Sequence, residues 1–165
     1  MPLRAPQTAS LLYLREDELR KGIEMLFFGY RDFVGEADEV LREIGFGRAH
    51  HRVLHFVARH PGMTVGELLA ILKITKQSLS RVLRELVETG HIAQRKGTRD
   101  RRQRLLELTD KGRALEGRLF ALQRARIAKA FREAGPEAVA GFRKVLMGLF
   151  NEADRAMILK TVESP

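Results

Sequence analysis

The sequence predicts a mainly α-helical chain carrying one small β-hairpin. Three observations lead there. Apolar residues recur with helical period in six segments, the period changes once just after Gly90, and hydroxyl residues of the kind that cap helices stand ahead of three segments, at Thr64, Thr75 and Thr109.

After a tail over residues 1–15, Ile23, Phe27, Tyr30, Val34, Ala37, Leu41 and Ile44 alternate steps of four and three, one stripe on a helix from about Glu16 to Ile44. Gly22, Gly29 and Gly35 each weaken that helix by about 1 kcal/mol relative to Ala, which leaves room for a bend or for two pieces. Gly45 supplies the stop. A second stripe of Phe46, His50, Val53, Leu54 and Val57, widened by Ala49 and Phe56, reads as a central helix ending before Pro61-Gly62.

Thr64 with Glu67 three residues on is a capping box, and Val65, Leu68, Leu69 and Leu72 form the inner face of a short third helix. Thr75 caps a fourth, with Leu79, Val82, Leu83, Leu86 and Val87 inward and Gly90 as the end. Two helices joined by a three- or four-residue turn make a helix-turn-helix. His91–Lys96 and Gln103–Leu108 are extended segments around Gly97-Thr98-Arg99-Asp100, a hairpin that reads as a wing. Thr109 caps a fifth helix, about Asp110 to Ala134, which Gly135-Pro136 breaks. The last helix is expected from Pro136 to about Leu159, along Phe142, Val145, Leu146, Leu149, Phe150, Ala153 and Met157.

The resulting expectation is a winged helix-turn-helix over 46–109, flanked by helical regions over 16–45 and 110–160. Their stripes exceed what one small domain can cover, so they are expected to form a dimerisation domain across a two-fold axis.

The composition, 165 residues with 44% hydrophobic and 31% charged, suits a domain with a real core. Apolar runs such as Leu11-Leu12-Tyr13-Leu14 fall far short of the roughly 20 residues of a membrane span. The N-terminal residues lack a signal-peptide pattern, and a cytoplasmic location without membrane partners is expected. With no cysteine, disulfides and thiolate metal sites are excluded by inventory. The net charge of +9 and a pI near 10.5 favour polyanionic partners. Lys73–Arg113 alone holds 12 basic and 5 acidic residues, hence +7 of that excess.

On a helical wheel Gln77, Ser80, Arg81 and Arg84 fall opposite the leucine and valine face of the fourth helix. Arginine can bridge O6 and N7 of guanine, glutamine can match N6 and N7 of adenine, and serine can serve base or phosphate. Thr75, Lys76 and Ser78 stand at the amino end, where free N–H groups attract phosphate. A plain solvated face explains the same pattern on an isolated helix; the capped helix before it and the basic hairpin after it favour DNA reading. From Arg95 to Arg104 the wing holds six cations, Arg95, Lys96, Arg99, Arg101, Arg102 and Arg104, against Asp100 alone. Arginines on a narrow hairpin suit a minor groove. Asp100 is expected to orient Arg101 or Arg102 through a charge-assisted hydrogen bond.

Asp100-Arg101-Arg102 followed by Leu106-Glu107-Leu108-Thr109-Asp110-Lys111-Gly112 resembles the wing and next helix start (D-R-R, then L-T-x-x-G) of the MarR family of bacterial regulators. The resemblance covers about Glu16 to Leu159. It implies a triangular homodimer, the fourth helix as recognition helix, a wing arginine in the minor groove and, often, relief by a small ligand. Gln77, Ser80, Arg81, Arg84, Arg101 and Arg102 stand where that family contacts DNA. Its branch that senses peroxide through cysteine is excluded. An effector pocket between the first, second and fifth helices would draw on Tyr30, His50 or His51, and Arg52.

His51 and His55 are four apart on one helical face, a spacing that can bind metal, but no Cys or acidic residue accompanies them locally. Arg52 stands where a zinc hydrolase would place Glu, so neither an enzyme nor a bound cofactor is expected. His50 reads as a buried, satisfied histidine. Two alternatives remain beside a sequence-specific regulator: an architectural binder indifferent to sequence, and a winged-helix adaptor for other proteins.

Overall fold

The computed structural model describes residues 8–164, so residues 1–7 of the expected tail lie outside the described residues. Thr8–Leu14 form a 3-10 helix, followed by α1 (Glu16–Glu43), α2 (Arg48–Arg59), β1 (Met63–Thr64), α3 (Val65–Leu72), α4 (Lys76–Glu88), β2 (Ile92–Lys96), β3 (Arg104–Leu108), α5 (Asp110–Ala134), α6 (Pro136–Gly148), a 3-10 turn (Glu152–Asp154) and α7 (Arg155–Glu163). Among the described residues no helix is long and apolar enough to cross a membrane.

Two compact units divide at Glu36 and Ala37, inside α1. The helix runs unbroken through Gly22, Gly29 and Gly35. In the first unit Leu19, Ile23, Leu26, Phe27, Phe28 and Tyr30 are exposed, Ile23 at 69%. Those side chains have the chemistry of a core without its burial.

The second unit holds the core. Ala37 and Leu41 of α1, Val53, Leu54 and Val57 of α2, Leu68 of α3, Leu79, Val82 and Leu86 of α4, Leu106 of β3 and Leu119 of α5 are at most 1% exposed and pack in one cluster. α2 contributes to it along its whole length, as a central helix must.

The local stop and start signals are realised in hydrogen bonds. Thr64 and Glu67 close the capping box reciprocally, Glu67 N–H to Thr64 Oγ1 at 3.1 Å and Thr64 N–H to Glu67 Oε2 at 2.8 Å. Thr75 accepts from the Ser78 amide at 3.1 Å and Thr109 from the Gly112 amide at 3.1 Å. Gly135 takes φ +83, a conformation glycine adopts without strain, and Pro136 opens α6.

Three details differ from the sequence expectation. The last helix is two, because α6 ends at Gly148 with Leu149 as its cap, Asn151 turns extended, and the carbonyl of Met147 accepts the Phe150 amide at 3.3 Å and Arg155 Nη1 at 3.1 Å instead of an amide from a continuing α-helix. The wing is a three-stranded antiparallel sheet in the order β1-β3-β2: Met63 pairs with Leu106 and Thr64 with Leu105, a long-range pairing no local pattern announces. Val87, expected inward on the fourth helix, is 38% exposed, since it lies near the end of α4 beyond the ladder of Leu79, Val82, Leu83 and Leu86.

Candidate nucleic-acid interface

The turn between α3 and α4 is Lys73-Ile74-Thr75, with Lys73 at φ +50 in the left-handed region. Its Nζ pairs with the carboxylate of Asp154, which lies below its ordinary value because of that bond. A remote segment thus braces the helix-turn-helix turn. Beyond Thr75, whose hydroxyl also donates to Ser78 Oγ at 2.8 Å, the buried Leu79, Val82, Leu83 and Leu86 fix the rotation of α4. Lys76, Gln77, Ser80, Arg81 and Arg84 are then left exposed, while Ser78 is half-buried.

Arg81 has company that sequence reasoning missed. Its Nη1 donates to Glu85 Oε1 at 3.0 Å, and Glu85 Oε2 lies 2.5 Å from His50 Nε2 on α2. His50 Nδ1 accepts the Gly47 amide at 3.0 Å at the start of α2, so the ring proton sits on Nε2 and points at Glu85. The His50 ring is 5% exposed and stacks on Phe46 at 4.5 Å and 5°. The hydrogen bond from His50, reinforced by Arg81, holds the Glu85 carboxyl below its ordinary range despite some desolvation. The four-residue spacing of Arg81 and Glu85 was legible; the partner 35 residues away was not.

In the wing, Ile92 pairs with Leu108 and Lys96 with Arg104, closing the β2–β3 ladder. At the turn the Gly97 amide donates to Gln103 O at 3.0 Å and the Gln103 amide to Asp100 O at 3.1 Å. A Cβ on Gly97 would lie 2.5 Å from Asp100 O, so the turn closes only around glycine. Asp100 does hydrogen-bond Arg102, through the main chain: its Oδ1 accepts the backbone N–H of Arg102 at 2.9 Å rather than the guanidinium. A short side chain two residues upstream reaches an amide more easily than a distant guanidinium, and the result shapes the turn. Arg95 pairs with Glu107 across the strands. Lys96, Arg99, Arg101, Arg102 and Arg104 are exposed and make no ion pair with any described residue.

The wing root explains Leu108-Thr109-Asp110-Lys111-Gly112. The Thr109 amide donates to His91 O at 3.1 Å, its hydroxyl to Gly90 O at 2.5 Å, and Lys111 Nζ to Thr89 O at 2.7 Å. The end of α4, the foot of β2 and the start of α5 are therefore joined by hydrogen bonds.

Of the other expected residues, Tyr30 belongs to the first unit and is exposed, whereas His50, His51 and Arg52 follow one another on α2 in the second. Burial pushes His51 below its ordinary value, and does the same to His55. His55 Nδ1 lies 3.9 Å from Glu116, whose carboxyl is pushed above its ordinary value by burial. Among the described residues no group of three His, Cys, Asp or Glu could hold a metal ion.

The protein-family model of the MarR family matches residues 44–103, from the end of α1 to the tip of the wing. The HTH-type transcriptional regulator PetP of Rhodobacter capsulatus is 50% identical over 151 residues, 92% of this chain and 91% of its own length. The chain belongs to the MarR family of transcriptional regulators. The Mycobacterium tuberculosis repressor Rv2887 is 27% identical over 111 residues, 67% of this chain and 80% of its own. Streptococcus pneumoniae FabT in complex with DNA superposes with a TM-score of 0.70 at 20% identity, over 88% of this chain and 99% of that one. The MarR family regulator SP03579 gives 0.67 at 24%, over 81% and 88%. At those identities the two likenesses establish the winged-helix fold. The matched span of this MarR-family chain includes Asp100-Arg101-Arg102 and ends ahead of Thr109 and Gly112, whose place is accounted for by the wing root itself.

Proposed function

We propose that this MarR-family protein acts in the cytoplasm as a homodimer that reads an inverted repeat in double-stranded DNA and is released by a small-molecule effector. The observation that carries the DNA reading is the exposed polar face of α4: Gln77, Ser80, Arg81 and Arg84 stand outward on a helix whose rotation is set by four buried side chains, in a fold whose wing presents arginines outside any ion pair among the described residues. Side chains of that kind read base edges in the major groove, and the wing arginines suit the minor groove beside it. Thr75, Lys76 and Ser78 take the phosphates at the helix start, aided by Arg95, Lys96 and Arg99. The exposed apolar side chains of the first unit, Ile23 and Phe27 among them, support pairing with a second copy. Effector release is supported by the relative Rv2887, solved in complex with p-aminosalicylic acid with a TM-score of 0.54 at 25% identity, over 76% of this chain and 95% of that one. His51 and Arg52, both in the second unit, are the residues assigned to that ligand; His50 is already committed to Glu85 and Gly47.

Selection of bound duplexes from a randomised pool tests the reading directly. The expected product is an inverted repeat with half-site centres about 34 Å apart. Binding without enrichment would favour the architectural reading, and no binding at low salt would leave only the adaptor.

A further inference from the structure

Arg81 is more than an exposed cation, because what holds it is anchored in the core. A surface arginine paired with a carboxylate four residues on ordinarily gains little, since two long side chains must be ordered for one weak attraction. Here Glu85 is already ordered: one carboxylate oxygen is 2.5 Å from the Nε2 of a buried histidine on another helix, and the other accepts Arg81 Nη1 at 3.0 Å. The histidine is in turn fixed by the Gly47 amide at Nδ1 and by Phe46 stacked on its face. With Nδ1 an acceptor and Nε2 the donor, the polarity of the chain is set from the start of α2 outward to the recognition helix.

We propose that Glu85 and His50 are positioning residues for DNA reading: together they hold the Arg81 guanidinium by one Nη1 hydrogen so that its remaining donors meet a base edge with little further ordering. The proposal rests on the reading of Arg81 as a base-contacting side chain. The same carboxylate also satisfies the buried His50 proton, so a purely structural role for Glu85 is the competing account. The two accounts differ in one respect: only positioning makes the effect of Glu85 depend on Arg81.

The experiment takes the strongest duplex selected by the unaltered protein and a random duplex of equal length, and measures the ratio of the two affinities at fixed salt. The ratio removes the general gain in DNA binding that follows from deleting any negative charge. Glu85→Ala is expected to lower the ratio about tenfold, with the loss concentrated at one base pair per half-site. In an Arg81→Ala background the same change is expected to leave the ratio within about twofold. His50→Phe, which keeps a ring against Phe46 but removes the proton donated to Glu85, is expected to reproduce the loss. Should that variant fail to fold in a thermal melt, Glu85→Gln takes its place, retaining an acceptor for His50 while loosening the hold on Arg81, with a smaller loss expected. A ratio untouched by Glu85→Ala but lowered by Arg81→Ala overturns the positioning and leaves the base contact standing. Equal losses from Glu85→Ala with and without Arg81 overturn it in favour of a structural role. If Arg81→Ala changes nothing, or no duplex is selected, the base contact fails and the positioning falls with it.

Discussion

Gly112 lies so close beneath the backbone of His91 that a Cβ at its position would stand 2.0 Å from the His91 carbonyl oxygen. That oxygen already accepts the Thr109 amide, so it cannot move aside without breaking the join between the wing and α5. Gly112→Ala should therefore cost about 1 to 3 kcal/mol of stability by overpacking. Thr109→Ala, which removes the cap of the same helix, should cost about 1 kcal/mol. Urea denaturation of both variants checks the order, and a Gly112→Ala protein as stable as the parent would contradict this account of the wing root.

Arg84 and the wing arginines should fail in different ways when removed. Arg84→Ala is expected to cost about 1 to 3 kcal/mol on the selected duplex and to relax preference at one base pair. Arg101→Ala with Arg102→Ala should weaken binding to every duplex and lower the slope of log affinity against log salt by roughly 2, about 0.9 for each phosphate that is no longer neutralised. Titrations at several salt concentrations separate the two. A wing double variant with unchanged slope would refute the placement of those arginines against the phosphate backbone and groove.

Acid should loosen the fold through α2. His51 and His55 are held below their ordinary 6.5 chiefly by burial, at His51 against a weaker opposing pull from Asp38 and with a still weaker contribution from Arg52, and with His51, Arg59 and His60 adding to it at His55. As pH drops below that ordinary value the unfolded chain takes up protons that the folded chain refuses, so stability is full above it and declines beneath it. Glu116, pushed up by burial, contributes with the opposite sign as its carboxyl protonates, which becomes important at lower pH. The urea midpoint should be lower at about pH 5.5 than at about pH 7.5. His51→Gln should narrow the gap, and equal midpoints for the parent would show that these rings titrate normally.

Pairing through the first unit can be checked by charge. Phe27 is 62% exposed and Ile23 69%. Phe27→Asp with Ile23→Asp should turn a dimer into a monomer in light scattering at micromolar concentration, because carboxylates without a counter-charge do not enter an apolar interface. A dimer that survives both changes would place the interface elsewhere.

The amino-acid sequence by itself determined where helices start and stop, because those signals are local. Thr64 with Glu67, Thr75, Thr109 and Gly135-Pro136 act over three or four residues, and each is found making the bond or turn its chemistry requires. The outward face of α4 was legible for the same reason, since four buried apolar residues at helical spacing fix where the polar ones stand. The break of the last helix at Asn151 had a signal of its own, a turn-forming residue inside an apolar stripe that the periodicity masked. Only the tertiary structure decided which distant groups meet: Met63 beside Leu106, Lys73 beside Asp154, and His50 beside Glu85. Such pairings depend on chain segments packing across 35 to 81 residues, and a pattern read along one helix carries no trace of the neighbour that its side chains will find.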